Sequence, residues 1–197
     1  SGDSLTYSIS GAPSTITISG TTISGTPVNA NVGTHTITVT CTDDGTGTLS
    51  ASDEYVLTVT NTNDAPTFSS NAVTSATEDA AYSYTVSTSD DDGDTVTVTC
   101  TTCPSWLSYS STTGKLTGTP DNDDVGSNSV VLSATDGTAT TTQSFTVTVA
   151  NVNSIGSVSL SGTTAEDSTL TATVSDPDGM TGVTVTYQWQ RTTTPAT

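Results

Sequence analysis

The chain repeats itself at a spacing of about 90 residues, and whatever one copy folds into, the next must fold into as well. The stretch "ISGTPVNANVGTHTITVTCTDDGTGT" lines up with "LTGTPDNDDVGSNSVVLSATDGTAT", and "GDSLTYSISGAPSTITI" with "GDTVTVTCTTCPSWLSY". Tyr55, Leu57 and Val59 then fall at the positions of Phe145, Val147 and Val149, which reads as the core face of a last strand.

Inside each copy the apolar residues alternate with polar ones. Period-two alternation runs through "YVLTVTNTND" (55–64), "DTVTVTC" (94–100) and "QSFTVTVANVN" (143–153), each bounded by Gly, Asp or Asn clusters. Such strands bury one face and wet the other. Thr fills 49 of the 197 positions, and β-branched residues suit a pleated, half-buried surface better than a helix. The expectation is an all-β chain of tandem β-sandwich modules, since a unit near 90 residues approaches the roughly 100 of an immunoglobulin-like sandwich.

Charge removes several function classes. Twenty acidic residues stand against two basic ones, Lys115 and Arg191, for a net charge of −18. A nucleic-acid partner needs Lys and Arg to displace phosphate counterions, so none is expected. An anionic membrane surface is equally disfavoured, and no apolar run approaches the roughly 18 residues that cross a bilayer. The opening "SGDSLTYS" shows no basic start followed by an apolar stretch. High charge with a hydrophobic fraction of 31% raises the question of disorder, but regular alternation argues for folded strands.

The repeat divides the chain into a partial first module (1–64, lacking its first strands), a complete module (65–153) and a partial third one (154–197, lacking its last strands). The expected context is a longer tandem array. Strand addition between the incomplete ends of neighbouring copies is the alternative, although both ends carry the same strand.

Several motifs occur together in a familiar order. "NTNDAP", "TEDAAYSYTVSTSDDDGD", "CPSWLSYSSTTGKLTGTP" and "SATDGTAT" followed by "FTVTVANVN" resemble the cadherin-like, dystroglycan-type immunoglobulin repeats of large bacterial surface proteins. The third unit, through "TAEDSTLTATVSDPDG" and "YQWQ", is similar to a neighbouring kind of bacterial immunoglobulin-like adhesin repeat. The resemblance implies calcium at the junctions between modules. Carried over residue by residue, it implies linker ligands Asn61, Asn63 and Asp64, joined by Asp90, Asp92 and Asp136 of the following module. Glu78 would serve the second junction, with Asn151, Asn153, Asp176 and Asp178. That junction has Ser154 where the first has Asp64, so weaker binding is expected there.

The chemistry of the clusters points the same way. Calcium takes six to eight oxygens from carboxylates, carbonyls and amides. Carboxylates about 5 Å apart repel by roughly 3 kcal/mol per pair at an effective dielectric of 20. With almost no Lys or Arg to compensate, a junction that gathers four or more calls for a cation. An EF-hand is excluded, because Thr95 follows Asp90, Asp92 and Asp94 where that loop requires Gly. An ordinary acidic hairpin turn is the alternative for "DDDGD". Pro66 would open the next strand without a backbone donor at the sheet edge.

Other residues carry weaker signals. "CTTC" at Cys100 and Cys103 reads as a local disulfide or as two free thiols rather than a redox or zinc site. Cys41 aligns with Ala134 and is expected buried in a core strand. His35, the sole histidine, aligns with Asn128 and is expected at the solvated surface, with no partners for a catalytic triad. The carboxylate pairs lie in loops, which argues against a glycosidase. Trp106 is expected to cap the sandwich, and Trp189 to sit in a buried central strand. The resulting expectation is a non-enzymatic, extracellular segment whose calcium-rigidified modules form an adhesin stalk, with neighbouring modules as partners. A surface glycan or protein ligand would bind elsewhere. A polymeric fibre unit contacting other copies, and a carbohydrate-binding module, are the rivals.

Overall fold

In the computed structural model, residues 4–47, 49–163, 165, 167–179 and 184–188 are described. Trp189 lies outside them. Strands form almost all of the regular structure, as β-branched, alternating sequences demand. The first repeat contains β1 (Leu5–Ser10), β2 (Ile16–Ser19), β3 (Thr22–Gly25), β4 (Gly33–Asp43) and β5 (Ser50–Val59). The second contains β6 (Thr67–Phe68), β7 (Ser75–Thr77), β8 (Tyr82–Thr85), β9 (Thr88–Ser89), β10 (Thr97–Thr102), β11 (Leu107–Ser110), β12 (Lys115–Gly118), β13 (Gly126–Thr135) and β14 (Thr140–Ala150). A hairpin of β15 (Ser157–Gly162) and β16 (Leu170–Ser175) follows. No helix among the described residues is long and apolar enough to cross a membrane.

The second repeat is a two-layer sandwich. One sheet has the order β10-β13-β14-β7, antiparallel except for the parallel β14–β7 pair; the other has the order β11-β12-β8. Alternation works here as expected. Val98 on β10, Val130, Leu132 and Ala134 on β13, and Val147 and Val149 on β14 are buried, while intervening residues reach or approach solvent. Tyr82 and Tyr84 on β8, Val86, Leu107 on β11 and Leu116 on β12 meet them from the opposite layer. Tyr84 packs edge-to-face on Phe145, with ring centroids 5.8 Å apart, and Tyr82 packs the same way on Trp106 at 5.6 Å. The phenol groups do not go unsatisfied. Tyr82 donates to the Val73 carbonyl at 2.7 Å, and Tyr84 to Gln143 Oε1 at 2.8 Å.

Trp106 caps the core as expected, and its Nε1 donates to Asn128 Oδ1 at 3.2 Å. Gly118 is needed beneath it. A Cβ there would lie 1.9 Å from the Trp106 carbonyl oxygen, and at the repeat-equivalent Gly25 it would lie 2.0 Å from that of Thr15. Cys100 and Cys103 form a disulfide with a Cα–Cα distance of 6.0 Å, beside the bulge where β10 slips its register between Cys100 and Thr102.

The first repeat follows the same strand plan, with β1-β4-β5 in one sheet and the β2–β3 hairpin apart from it. Ile37 is buried, as is its equivalent Val130. Three expectations fail here. Tyr55 is exposed rather than core, because no residue among those described plays the part that Tyr84 plays against Phe145. Cys41 is only half-buried, since no facing strand covers it as the second sheet covers Ala134. His35 is also half-buried, and its Nε2 lies 2.7 Å from the Asn31 carbonyl. This contact reproduces Asn128, whose Nδ2 donates to the carbonyl of Asp124 four residues earlier.

Strand boundaries differ as well. β5 and β14 begin before the alternation and stop at Val59 and Ala150, so the polar ends "NTND" and "NVNS" are extended linkers without ladder partners. The central strand expected to carry Trp189 is not seen at residues 184–188, where no pairing partner stands among the described residues; Trp189 itself lies outside them.

Two measurements check this core. Leu116→Ala should cost about 2–5 kcal/mol, as for large-to-small changes at fully buried sites. Val125→Ala, at an exposed position, should cost less than about 1 kcal/mol, both read from denaturant unfolding. Burial, with a smaller contribution from the neighbouring Tyr84, pushes the Tyr82 phenol up to about 12. An unfolded tyrosine titrates near 10. The raised value contributes stability that is complete below about pH 10 and is lost as pH rises toward 12. Tyr82→Phe should flatten the alkaline limb of the stability profile, measured by thermal melts from pH 9 to 12.

Candidate metal site

The loop between β9 and β10 turns on Asp90. Its Oδ1 accepts from the Asp92 and Asp94 amides at 3.0 and 3.2 Å, an Asx turn that Gly93 completes at φ +79°. The turn gathers oxygens from Asp90, Asp92 and Asp94 within 4.8 Å of one another. Asp94 was absent from the sequence-derived ligand set. The alternating acids of "DDDGD" are the signal that could have found it.

The linker runs into this loop. The Asp64 amide donates to Asp92 Oδ2 at 2.6 Å, and Asn63 Nδ2 donates to Asp136 Oδ2 at 3.0 Å. Asp136 Oδ1 takes the Thr138 and Ala139 amides at 2.6 Å each. These bonds, the Ala139 amide foremost and then Asn63, hold its carboxyl below the ordinary aspartate range, so it is a carboxylate at neutral pH. Two carboxylate oxygens remain without any hydrogen-bond partner although they are shielded from solvent: Asp90 Oδ2 and Asp92 Oδ1. Buried polar atoms in native folds are nearly always satisfied, so these two point to a ligand.

The second linker repeats the arrangement. The Ser154 amide donates to Asp178 Oδ2, and the Asp178 amide to Asp176 Oδ1 at 3.0 Å, while Asp178 Oδ1 is shielded and unpartnered. Glu78 is 4% exposed, and its Oε2 accepts the Val152 amide at 3.1 Å. Glu78 sits in a turn closed by the Ala80 amide on the Thr77 carbonyl, in which the next residue, Asp79, adopts φ +58°, and Asp167 does the same at φ +62° in the next unit. Glu78 and Asp178 therefore both hold the second linker, two residues apart along it. Where the first loop has Asp94, the second has Met180 in sequence.

Not every predicted residue joins these clusters. The Asp64 carboxylate faces the first repeat, accepting from Asn29 Nδ2 at 2.6 Å, a contact that nothing in the sequence announced. Asn61 and Asn151 are exposed on their linkers, with no side-chain hydrogen bond to the acidic loops among the described residues. Asn153 Nδ2 reaches only the neighbouring Ser154 carbonyl, at 3.5 Å. Its equivalent Asn63 donates to the Asp64 carbonyl as well as to Asp136.

Comparison with known proteins places the chain. No curated protein sequence matches it. Among solved structures, the protocadherin GammaB4 extracellular domain is similar at 20% identity and a TM-score of 0.51, over 83% of this chain and 30% of that one. A protocadherin gammaB7 EC3-6 cis-dimer is similar at 19% identity and a TM-score of 0.51, over 83% of this chain and 44% of that one. These likenesses support the fold alone. An endo-fucoidan hydrolase of glycoside hydrolase family 107, MfFcnA4, is 29% identical over 77% of this chain and 24% of its own length, with a TM-score of 0.41. The chain thus spans less than half of each. The family model described as "Putative Ig domain", He_PIG, matches residues 1–60 and again residues 65–150. The chain belongs to this family of immunoglobulin-like domains, in tandem and with a cadherin-like fold.

Proposed function

We propose that the chain is a non-enzymatic segment of a larger extracellular surface protein, in which calcium at the junctions stiffens consecutive immunoglobulin-like modules into a stalk. The modules would be residues 1–64, 65–153 and 154–197. The observation that carries this reading is the pair of shielded, unpartnered oxygens, Asp90 Oδ2 and Asp92 Oδ1, in a loop hydrogen-bonded to the linker.

The donor set fits calcium and no softer ion. Only carboxylate, amide and carbonyl oxygens stand there, the ligands a hard cation takes. Carboxylate oxygens within 4.8 Å repel by about 3 kcal/mol per pair at an effective dielectric of 20. A divalent ion would turn that repulsion into a bridge. Asp90, Asp92 and Asp94 would hold it, with Asp136, Asn61, Asn63 and Asp64 reaching from either side of the linker. At the second junction Glu78, Asp176 and Asp178 would serve, with Asn151 and Asn153 from the linker. The stalk's ligand, protein or glycan, would be engaged by domains elsewhere. A carbohydrate platform at Trp106 is disfavoured, because that ring packs against Tyr82 in the core.

Calcium modules outside cells bind with dissociation constants of about 0.1–1 mM. At about 10 mM free ion, linkage then contributes about 1.4–2.7 kcal/mol per site. In thermal melts of the full chain, Asp92→Ala should remove most of the calcium-dependent gain and be neutral or slightly stabilising in chelator. Asp53→Ala, on β5 away from the loop, should leave the calcium response intact. Equal responses of the two variants would reduce the loop to a solvated turn. The two junctions should also differ, since Ser154 and Met180 replace Asp64 and Asp94. In hydrogen exchange of the full chain, calcium should protect residues 61–66 more than residues 151–156. Equal protection would contradict the asymmetry.

A further inference from the structure

The bend from β10 into β11 is built twice in this chain, once with a covalent bond and once without. Where the second repeat joins Cys100 to Cys103, the first has Ile9 and Ala12. The turn that follows is the same in both. The Leu107 amide donates to the Pro104 carbonyl at 3.0 Å, and the Ile16 amide to the Pro13 carbonyl at 2.9 Å. The bend therefore folds without a disulfide. Nor does the bond restrain the unfolded chain by much, because that effect grows with the closed loop and the two cysteines are only three positions apart. Stability gives little reason for it.

The bond lies where a reagent reaches it. Both cysteines are half-buried, Thr101 and Thr102 between them are exposed, and the pair lines an open groove of about 410 Å³ together with Leu107 and Tyr109. Exposed disulfides are the ones that exchange readily with thiols. The reduced form is also provided for. Cys100 Sγ lies 3.2 Å from the Thr102 carbonyl oxygen, a contact in which a thiol donates a weak hydrogen bond and a disulfide sulfur has no proton to give. Other ties outlast the bond: the turn onto Pro104, and Trp106 Nε1 on Asn128. The spacing of "CTTC" alone did not indicate exchange chemistry, but the open groove does.

We propose that Cys100–Cys103 is a thiol–disulfide exchange site, reduced by a small dithiol while the module stays folded. A thiolate of the dithiol attacks Cys103 Sγ and forms a mixed disulfide. The Cys100–Cys103 bond breaks, and Cys100 leaves with the electron pair, takes a proton and donates it to the Thr102 carbonyl. The second thiol of the reagent, deprotonated, then attacks the reagent's own sulfur in the mixed disulfide. This closes the reagent's disulfide and releases Cys103, which takes the second proton. The dithiol is oxidised by two electrons and the cysteine pair reduced by two. The bond ties the β10 bulge, where the register shifts between Cys100 and Thr102, to the turn that enters β11. Its loss loosens residues 100–107 and leaves the β13–β14 pair in place. The inference rests neither on calcium nor on the stalk reading.

Dithiothreitol added to the full chain without denaturant, followed by alkylation and mass mapping of each cysteine, tests the inference and keeps Cys41 apart from the pair. Cys100 and Cys103 should be reduced at a rate within about tenfold of that in an oxidised peptide of residues 97–106, since access rather than unfolding limits the reaction. Amide exchange at residues 100–107 should then speed up by about tenfold or more, while the amides of β13 keep their protection. The double variant Cys100→Ile with Cys103→Ala copies the first repeat. It should keep β13 protected, and dithiothreitol should not change its exchange at residues 100–107. Reduction that needs denaturant, or that comes only with loss of β13 protection, overturns the proposal. So does unchanged exchange at residues 100–107 after reduction, since the bond would then restrain nothing. A double variant that fails to fold overturns it as well, because the bond would then be a requirement of the fold.

Discussion

The long strands β13 and β14 bury their apolar residues on one side, and so the fold depends on having a second sheet to lay against that side. Hydrophobic burial contributes about 25 cal/mol per Å² of apolar surface removed from water, but only where something removes it. In the second repeat β8 supplies the cover. Tyr82, Tyr84 and Val86 close over Val130, Leu132 and Val147, and the exposures of those residues fall to a few per cent. In the first repeat the same alternation, on β4 and β5, leaves Tyr55 in solvent and Leu57 half-covered. Two copies of one pattern therefore reach different degrees of burial, and the difference lies in the facing layer rather than in the strands.

That dependence also explains what could be read in advance. Strand identity, tandem organisation and the buried faces of β13 and β14 follow from periodicity, because alternation is a property of the strand itself. The environments of Cys41 and Tyr55 do not. Alignment assigned them the surroundings of Ala134 and Phe145, but those surroundings belong to the opposite sheet. His35 was missed for another reason. Its role, bonding the carbonyl four residues back, is one that Asn fills equally well in the other copy, so residue type hid a shared geometry.

The acidic loop was legible in part. Asp90, Asp92 and Asp136 come to the first linker, and Glu78 and Asp178 to the second, since turns and linkers at one end of a sandwich meet wherever strand lengths agree. What sequence could not convey was direction. The Asp64 carboxylate turns to Asn29 while its amide turns to Asp92, so one residue ties the linker to both repeats. Asp94 enters through the Asx turn on Asp90, a backbone effect invisible to ligand counting.

With 20 acids and two bases in the whole sequence, the chain has no internal means of neutralising such a cluster. The central claim is that a calcium ion does so at the first junction. A crystal structure of the full chain grown in about 10 mM calcium tests it most directly. The account predicts an ion within about 2.3–2.6 Å of both Asp90 Oδ2 and Asp92 Oδ1. Water alone at those two oxygens, at full occupancy and hydrogen-bonding distance, would contradict it.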